Sequence, residues 1–206
     1  MGDRCGVNFK TLGLPVSQDE ALAVLIAKGF SVIDVDLMAL ARGCIGYSQH
    51  RRGARLHEAP HIVDCSSLIK WLYGKRGIWL PRRSIQQRQY GRVIQLEKLV
   101  SGDVVFVSGA IDYFLDDPCN GVGHVGIATG NGTVIHAANR DVGIVESSLE
   151  SFVGKTKLRG ARRYIPFNAE VVTFQTPTGR EIETEDDFRW VILQSLGKKN
   201  GRKRPR

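Results

Sequence analysis

The chain has no long hydrophobic run: nowhere in its 206 residues is there a stretch near the ~20 apolar residues that a membrane-crossing helix requires. The opening Met-Gly-Asp-Arg-Cys-Gly-Val lacks the basic n-region and apolar h-region of a secretory signal. The expected address is therefore cytoplasmic by default, or cell envelope or extracellular if export takes another route. Cysteine is sparse. Cys5, Cys44, Cys65 and Cys119 contain no CxxC pair and no zinc-ribbon spacing, which excludes a disulfide framework and leaves reduced thiols, one of which can be reactive. Acidic residues are missing from the last nine positions, where Lys198, Lys199, Arg202, Lys203, Arg204 and Arg206 carry six of the eight net positive charges. The body is thus nearly neutral at +2 and shows no basic-aromatic surface pattern, so nucleic acid is not an expected partner. Residues 198–206 read as a disordered tail suited to contact with anionic polymer. No internal repeat is visible.

What is present is the composition of a soluble globular protein, 42% hydrophobic and 24% charged, with length for one domain and extensions. Residues 1 to 16 look irregular. Ser17 and Glu20 make a capping-box pattern before an apolar run, which predicts a helix over about 18–28 closed by Gly29. A second helix is expected over about 35–42, stopped by Gly43. A basic, histidine-containing loop follows Gly46-Tyr47-Ser48 as far as His61. Within it, His57 and His61 have a helical metal-pair spacing, but Pro60 breaks that helix and a third ligand is missing, so no metal is expected. Residues 65–73 carry Leu68, Ile69 and Leu72 on one helical face, with Gly74 as the stop. Ser84 to Gly91 suggests a short helix, and Val104-Val105-Phe106-Val107 a buried strand after the Ser101-Gly102-Asp103 turn. Residues 143–146, 161–165 and 170–174 read as strands, and 187–196 as a last helix.

Two stretches carry chemistry. Asp64-Cys65-Ser66 places a thiol in the first turn of a buried helix, with Asp64 or a following Ser as N-cap. Free N–H groups and the helix dipole there favour thiolate and can donate to an oxyanion. The second stretch is a hairpin, His124 to Ala128 returning as Thr133 to Ala138 around Gly130-Asn131-Gly132. With Gly132 in the left-handed conformation, Thr129 faces Thr133 and Gly126 faces His136. His124 and His136 then become diagonal neighbours on one face, about 7–8 Å apart at Cα and within reach of an imidazole–imidazole hydrogen bond. A thiol, a base and a group orienting the base is the logic of nucleophilic acyl transfer.

In family order, the pieces Asp64-Cys65-Ser66, Gly102-Asp103-Val104-Val105-Phe106, Gly123-His124-Val125-Gly126-Ile127, Ile135-His136-Ala137 and Gly160-Ala161-Arg162-Arg163 resemble the NlpC-type papain-like cysteine peptidases, bacterial cell-wall hydrolases. The resemblance implies an α+β fold, a Cys-bearing helix packed on a small antiparallel sheet that carries both histidines. It implies cleavage of peptidoglycan stem peptides, commonly between D-glutamate and a diamino acid, without a cofactor. By the same resemblance Cys65 is the nucleophile, His124 the base and His136 the orienter. Tyr47, from a Gly-x-Tyr element, lies near the oxyanion site, and Asp64 and Ser66 are substrate-binding candidates. Ser67 departs from the family's Gly, and an aromatic Gly-Gly segment between Tyr47 and Cys65 is absent. The implied organisation is an N-terminal helical extension at 1–34, a catalytic domain at 35–167, a strand-and-helix extension at 168–197 and the tail at 198–206. A silent binding module of the same fold, or a phage-tail or toxin version of the hydrolase, is the alternative reading.

Overall fold

The computed structural model describes residues 4–109, 121–165 and 171–200, with side chains as far as Gly197. Cys119 and the tail from Gly201 onward lie outside them. The chain divides into two compact units, one of Asp36–Lys75 and Trp79–Pro166 and one of the described residues in Met1–Val35, Arg76–Ile78 and Phe167–Arg206.

The larger unit is built on a six-stranded sheet in the order β5-β10-β6-β7-β8-β9, antiparallel throughout. Its strands are β5 (Arg92–Ile94), β6 (Val104–Val107), β7 (His124–Ala128), β8 (Thr133–Asn139), β9 (Gly143–Ser148) and β10 (Leu158–Arg163). All four residues of β6 are buried, as the unbroken apolar run predicts for a strand covered on both faces. Against this sheet packs α3 (Cys65–Lys75), burying Leu68, Ile69, Leu72 and Tyr73. Gly74, expected to end that helix, lies inside its last turn, because a lone glycine costs a helix only ~1 kcal/mol. Ile94, Val105, Val107, Ala128, Val134, Phe152 and Ala161 form a second apolar cluster in this unit. Among its described residues are three shorter helices, α2 (Leu37–Gly43), capped by Asp36, α4 (Ser84–Gln87) and α5 (Leu149–Val153). The basic loop is more ordered than its composition indicates. It contains a two-stranded parallel pairing of β3 (Gln49–His50) with β4 (Ile62–Val63) and a 3-10 turn at Leu56–Glu58.

Two of the sequence fragments singled out above hold the sheet together. Asp103 is 1% exposed and accepts from Arg163 Nε at 2.7 Å and Nη2 at 2.6 Å, a two-pronged pair joining the entry of β6 to the end of β10. Asp103 also accepts from the backbone N–H of Val100 at 2.9 Å, closing the turn before β6. The Tyr73 hydroxyl donates to Gly102 O and so ties α3 to the same corner.

The smaller unit contains a three-stranded sheet, β1-β11-β2, from β1 (Arg4–Asn8), β2 (Ser31–Ile33) and β11 (Val171–Gln175). The first residues, expected to be irregular, thus supply a strand. Its partner β11 lies more than 160 positions downstream, with Arg4 opposite Gln175, a pairing that local pattern does not reveal. Helix α1 (Gln18–Ala27) begins with the Ser17–Glu20 capping box, and α6 (Glu185–Asn200) is longer at both ends than its apolar pattern indicates. Phe9, Phe30, Phe174 and Phe188 meet edge-on or tilted at the centre of this unit's core. The two extensions read separately from the sequence are one folded body here.

Candidate active site

Helix α3 starts at Cys65 because Asp64 and Ser67 cap it reciprocally. Asp64 Oδ1 accepts from the Ser67 N–H at 2.8 Å, and Ser67 Oγ accepts from the Asp64 N–H at 2.8 Å. Ser67, the departure from the resembled pattern, therefore completes a cap. Cys65 occupies the first helical position and lines an open cavity of about 1110 Å3 with His124, His136, Arg82, Ser147 and Phe152.

The hairpin has the register derived from its turn. Thr129 N–H bonds to Thr133 O at 3.0 Å, Ile127 pairs with Ile135, and Gly132 has φ of 76°. His124 Nε2 meets His136 Nδ1 at 3.0 Å, with the rings edge-on. Gly126 is what permits this approach. A Cβ built there stands 2.4 Å from Val134 Cγ1 and 3.0 Å from His136 Cβ. Phe152 of α5 packs over both imidazoles, with centroids 5.5 Å and 4.8 Å away. Burial lowers both histidines to about 4, and for His124 the neighbouring His136 and His50 add to the effect. Both rings are therefore neutral at pH 7. Since His124 uses Nε2 toward His136, its remaining nitrogen, Nδ1, is the one free to take a proton.

Cys65 does not have the depressed pKa that a helix start alone favours. Burial, followed by the Asp64 carboxylate, pushes the thiol up to about 11, against the opposing pull of the Val125 and Ser66 N–H groups and the Arg82 charge. The same burial therefore favours the uncharged form of the thiol and of both imidazoles.

Asp64 and Ser66, the substrate-binding candidates, are both buried and committed to internal partners. Asp64 Oδ1 accepts from Ser66 Oγ at 3.2 Å and Arg82 Nη1 at 3.1 Å, and Oδ2 from the Gly53 N–H at 3.0 Å and from Arg82 Nη2. Arg82 also donates to Ser66 Oγ at 2.8 Å and Ala54 O at 2.7 Å. Burial raises the Asp64 carboxyl, but Arg82 and the donor set outweigh it and hold the group below its ordinary value. Arg82, which the sequence reading does not single out, is thus the cation that keeps a carboxylate beside Cys65. The signal for it was chemical: a buried Asp next to a nucleophile requires a counter-charge. Ser147 was also missed; its Oγ lies 3.0 Å from His136 Nε2.

Tyr47 is not among the described residues lining this cavity. Its hydroxyl bonds to His61 Nε2 at 2.9 Å, and the two rings lie 4.8 Å apart. His57 and His61 join no metal-binding group among the described residues.

The site can therefore bring a thiol, a neutral base and a second imidazole to one open cleft at a helix N-terminus. Comparisons with known proteins find cysteine-type hydrolases among the relatives of this chain. The chain is 35% identical over 113 residues to a probable endopeptidase of Corynebacterium glutamicum, covering 54% of this chain and 42% of that one. It is 34% identical over 106 residues to a gamma-D-glutamyl-L-lysine dipeptidyl-peptidase of Bacillus cereus, covering 50% and 29%. It thus spans less than half the length of these curated relatives. Among solved structures, NlpC2 from Trichomonas vaginalis superposes with a TM-score of 0.51 at 21% identity, covering 76% of this chain and 51% of that one, which shows a shared papain-like fold. Residues 51–163, more than half of the sequence and the part that carries Cys65, His124 and His136, match the NlpC/P60 family, and the chain belongs to that family.

Proposed function

We propose that this chain is a cysteine-type hydrolase that cleaves amide bonds of peptidoglycan stem peptides, at the bond between a γ-linked D-glutamyl residue and a diamino acid. The observation that carries the reading is the 3.0 Å contact between His124 Nε2 and His136 Nδ1 in the cavity that Cys65 lines. In this reading His124 Nδ1 takes the thiol proton as Cys65 Sγ bonds to the substrate carbonyl carbon, and returns it to the leaving amine. Water then attacks the thioester, losing a proton to His124, and Cys65 regains its own. His136 keeps the His124 ring in position and stabilises the imidazolium through the shared hydrogen bond. The N–H groups at the start of α3 face the developing oxyanion. Support for the bond comes from the Bacillus cereus relative, whose name specifies a gamma-D-glutamyl-L-lysine linkage.

Mass spectrometry of muropeptides incubated with the protein tests the proposal. Products split at the D-glutamyl bond are expected. Cys65→Ala should remove turnover, His124→Ala should cost ~10²–10⁴-fold, and His136→Ala should sit at or below the low end of that range, with partial recovery in His136→Asn. Turnover by a folded Cys65→Ala variant at the parent rate would end the cysteine-hydrolase reading.

A further inference from the structure

The histidine pair does not end at His136. We propose that Ser147 is a fourth member of the array, a positioning residue whose hydroxyl accepts the His136 Nε2 proton and thereby sets the tautomers of both histidines. The inference rests on the function proposed above, in which His124 is the base. His136 Nε2 lies 3.0 Å from Ser147 Oγ, and its other nitrogen lies 3.0 Å from His124 Nε2. Strand register builds the contact. On β9, Val145 stands opposite His136 and Ser147 opposite Val134, so Ser147 is the diagonal neighbour of His136 on one face of the sheet.

Each link of the array admits one proton, and the protons have only two consistent arrangements. If Ser147 Oγ accepts from His136 Nε2–H, then His136 Nδ1 is a lone pair and accepts from His124 Nε2–H. His124 Nδ1 is then bare and can take the proton of Cys65. If instead the serine donates to His136 Nε2, then His136 Nδ1–H must donate to His124 Nε2. His124 then carries its proton on Nδ1 and is no base toward the thiol. The same heavy-atom geometry thus holds a competent and an incompetent state, and the direction of one hydroxyl distinguishes them. When His124 becomes an imidazolium, its Nε2–H donation to His136 becomes charge-assisted, and Ser147 must still be an acceptor at the far end. A hydroxyl suits this place because it can accept without bringing a fixed negative charge beside His136.

The test needs no substrate. Long-range proton–nitrogen correlation spectra of the Cys65→Ala protein report which nitrogen of each imidazole is protonated. Nε2 protonation is expected on both His124 and His136. Adding Ser147→Ala should give His136 a mixture of tautomers, and Ser147→Thr, which keeps the hydroxyl on a strand-compatible side chain, should restore the single form. In the otherwise unaltered enzyme, Ser147→Ala should lower kcat by about 2- to 12-fold, the worth of one hydrogen bond, with KM unchanged and Thr again restoring the rate. A His136 signal from a ring protonated on Nδ1, or one unaltered by Ser147→Ala, overturns the proposal. If the tautomers shift as expected while the parent protein cleaves no muropeptide, the array stands and the proposed function fails.

Discussion

Gly126→Ala is the most revealing single substitution, because it adds one methyl group behind the His124–His136 pair without touching either ring. The new Cβ would lie 2.4 Å from Val134 Cγ1, 3.0 Å from His136 Cβ and 3.0 Å from Ile135 O. Favourable carbon–carbon contact begins at about 3.5 Å, so β8 must retreat from β7 by about 1 Å. Val134 cannot relieve the clash by itself: it is fully buried and β-branched. A retreat of that size carried by His136 lengthens its 3.0 Å bond to His124 to about 4 Å, which is no longer a hydrogen bond. Overpacking of this kind costs about 1–3 kcal/mol of stability, and a 1 Å misplacement of a positioning group can cost about 10²-fold in rate. Urea titration followed by circular dichroism measures the first effect, and single-turnover cleavage of a soluble muropeptide the second. The variant should remain folded in water, with a lower urea midpoint and a kcat reduced at least tenfold. Parent stability together with parent kcat would refute the close-approach argument.

Gly74→Ala should do the opposite. Gly74 is an exposed helical residue with open space around its Cβ direction, so alanine should stabilise the larger unit by about 0.5–1 kcal/mol in urea titration and leave kcat unchanged; a destabilised variant would contradict the helix placement. Arg82→Ala should cost about 2–3 kcal/mol. That is less than the 3–5 typical of a fully buried broken pair, because Arg82 is partly solvated, and an unchanged urea midpoint would show that Asp64 does not depend on it. Both imidazoles are held near 4 against ~6.5 in the unfolded chain, so their neutral forms contribute full stability above about pH 6.5, and this contribution is lost as pH falls toward 4. Urea midpoints should decline over that window, less steeply in His136→Gln, and kcat/KM should hold a plateau whose acid limb lies near 4 rather than near 6.5.

Local pattern and register revealed the parts of the site that lie close in sequence. The helix start at Cys65 follows from Asp64 and the spacing of Leu68, Ile69 and Leu72. The His124–His136 contact follows from the turn at Gly130-Asn131-Gly132, because a strand's alternation leaves no freedom once the register is set. Arg82 and Ser147 escaped because neither has periodicity to mark it. Arg82 meets Asp64 across 18 positions, and Ser147 meets His136 through the β8–β9 pairing. The thiol is not legible from the helix start alone, because burial outweighs the helix N–H groups and raises it. Strand β1 was invisible because its partner lies at the other end of the chain.

That last pairing governs the order in which the protein can be made. Strands β6 to β9 follow one another along the chain, so their contacts close short loops and can form early, as soon as the segment emerges from the ribosome. Strand β1 must wait for Val171–Gln175, and until then Val7 and Phe9, buried in the finished protein, are exposed on a nascent chain. A stop codon near residue 166 would therefore do more than shorten the C-terminus: it would leave the first strand translated without the neighbour it pairs with.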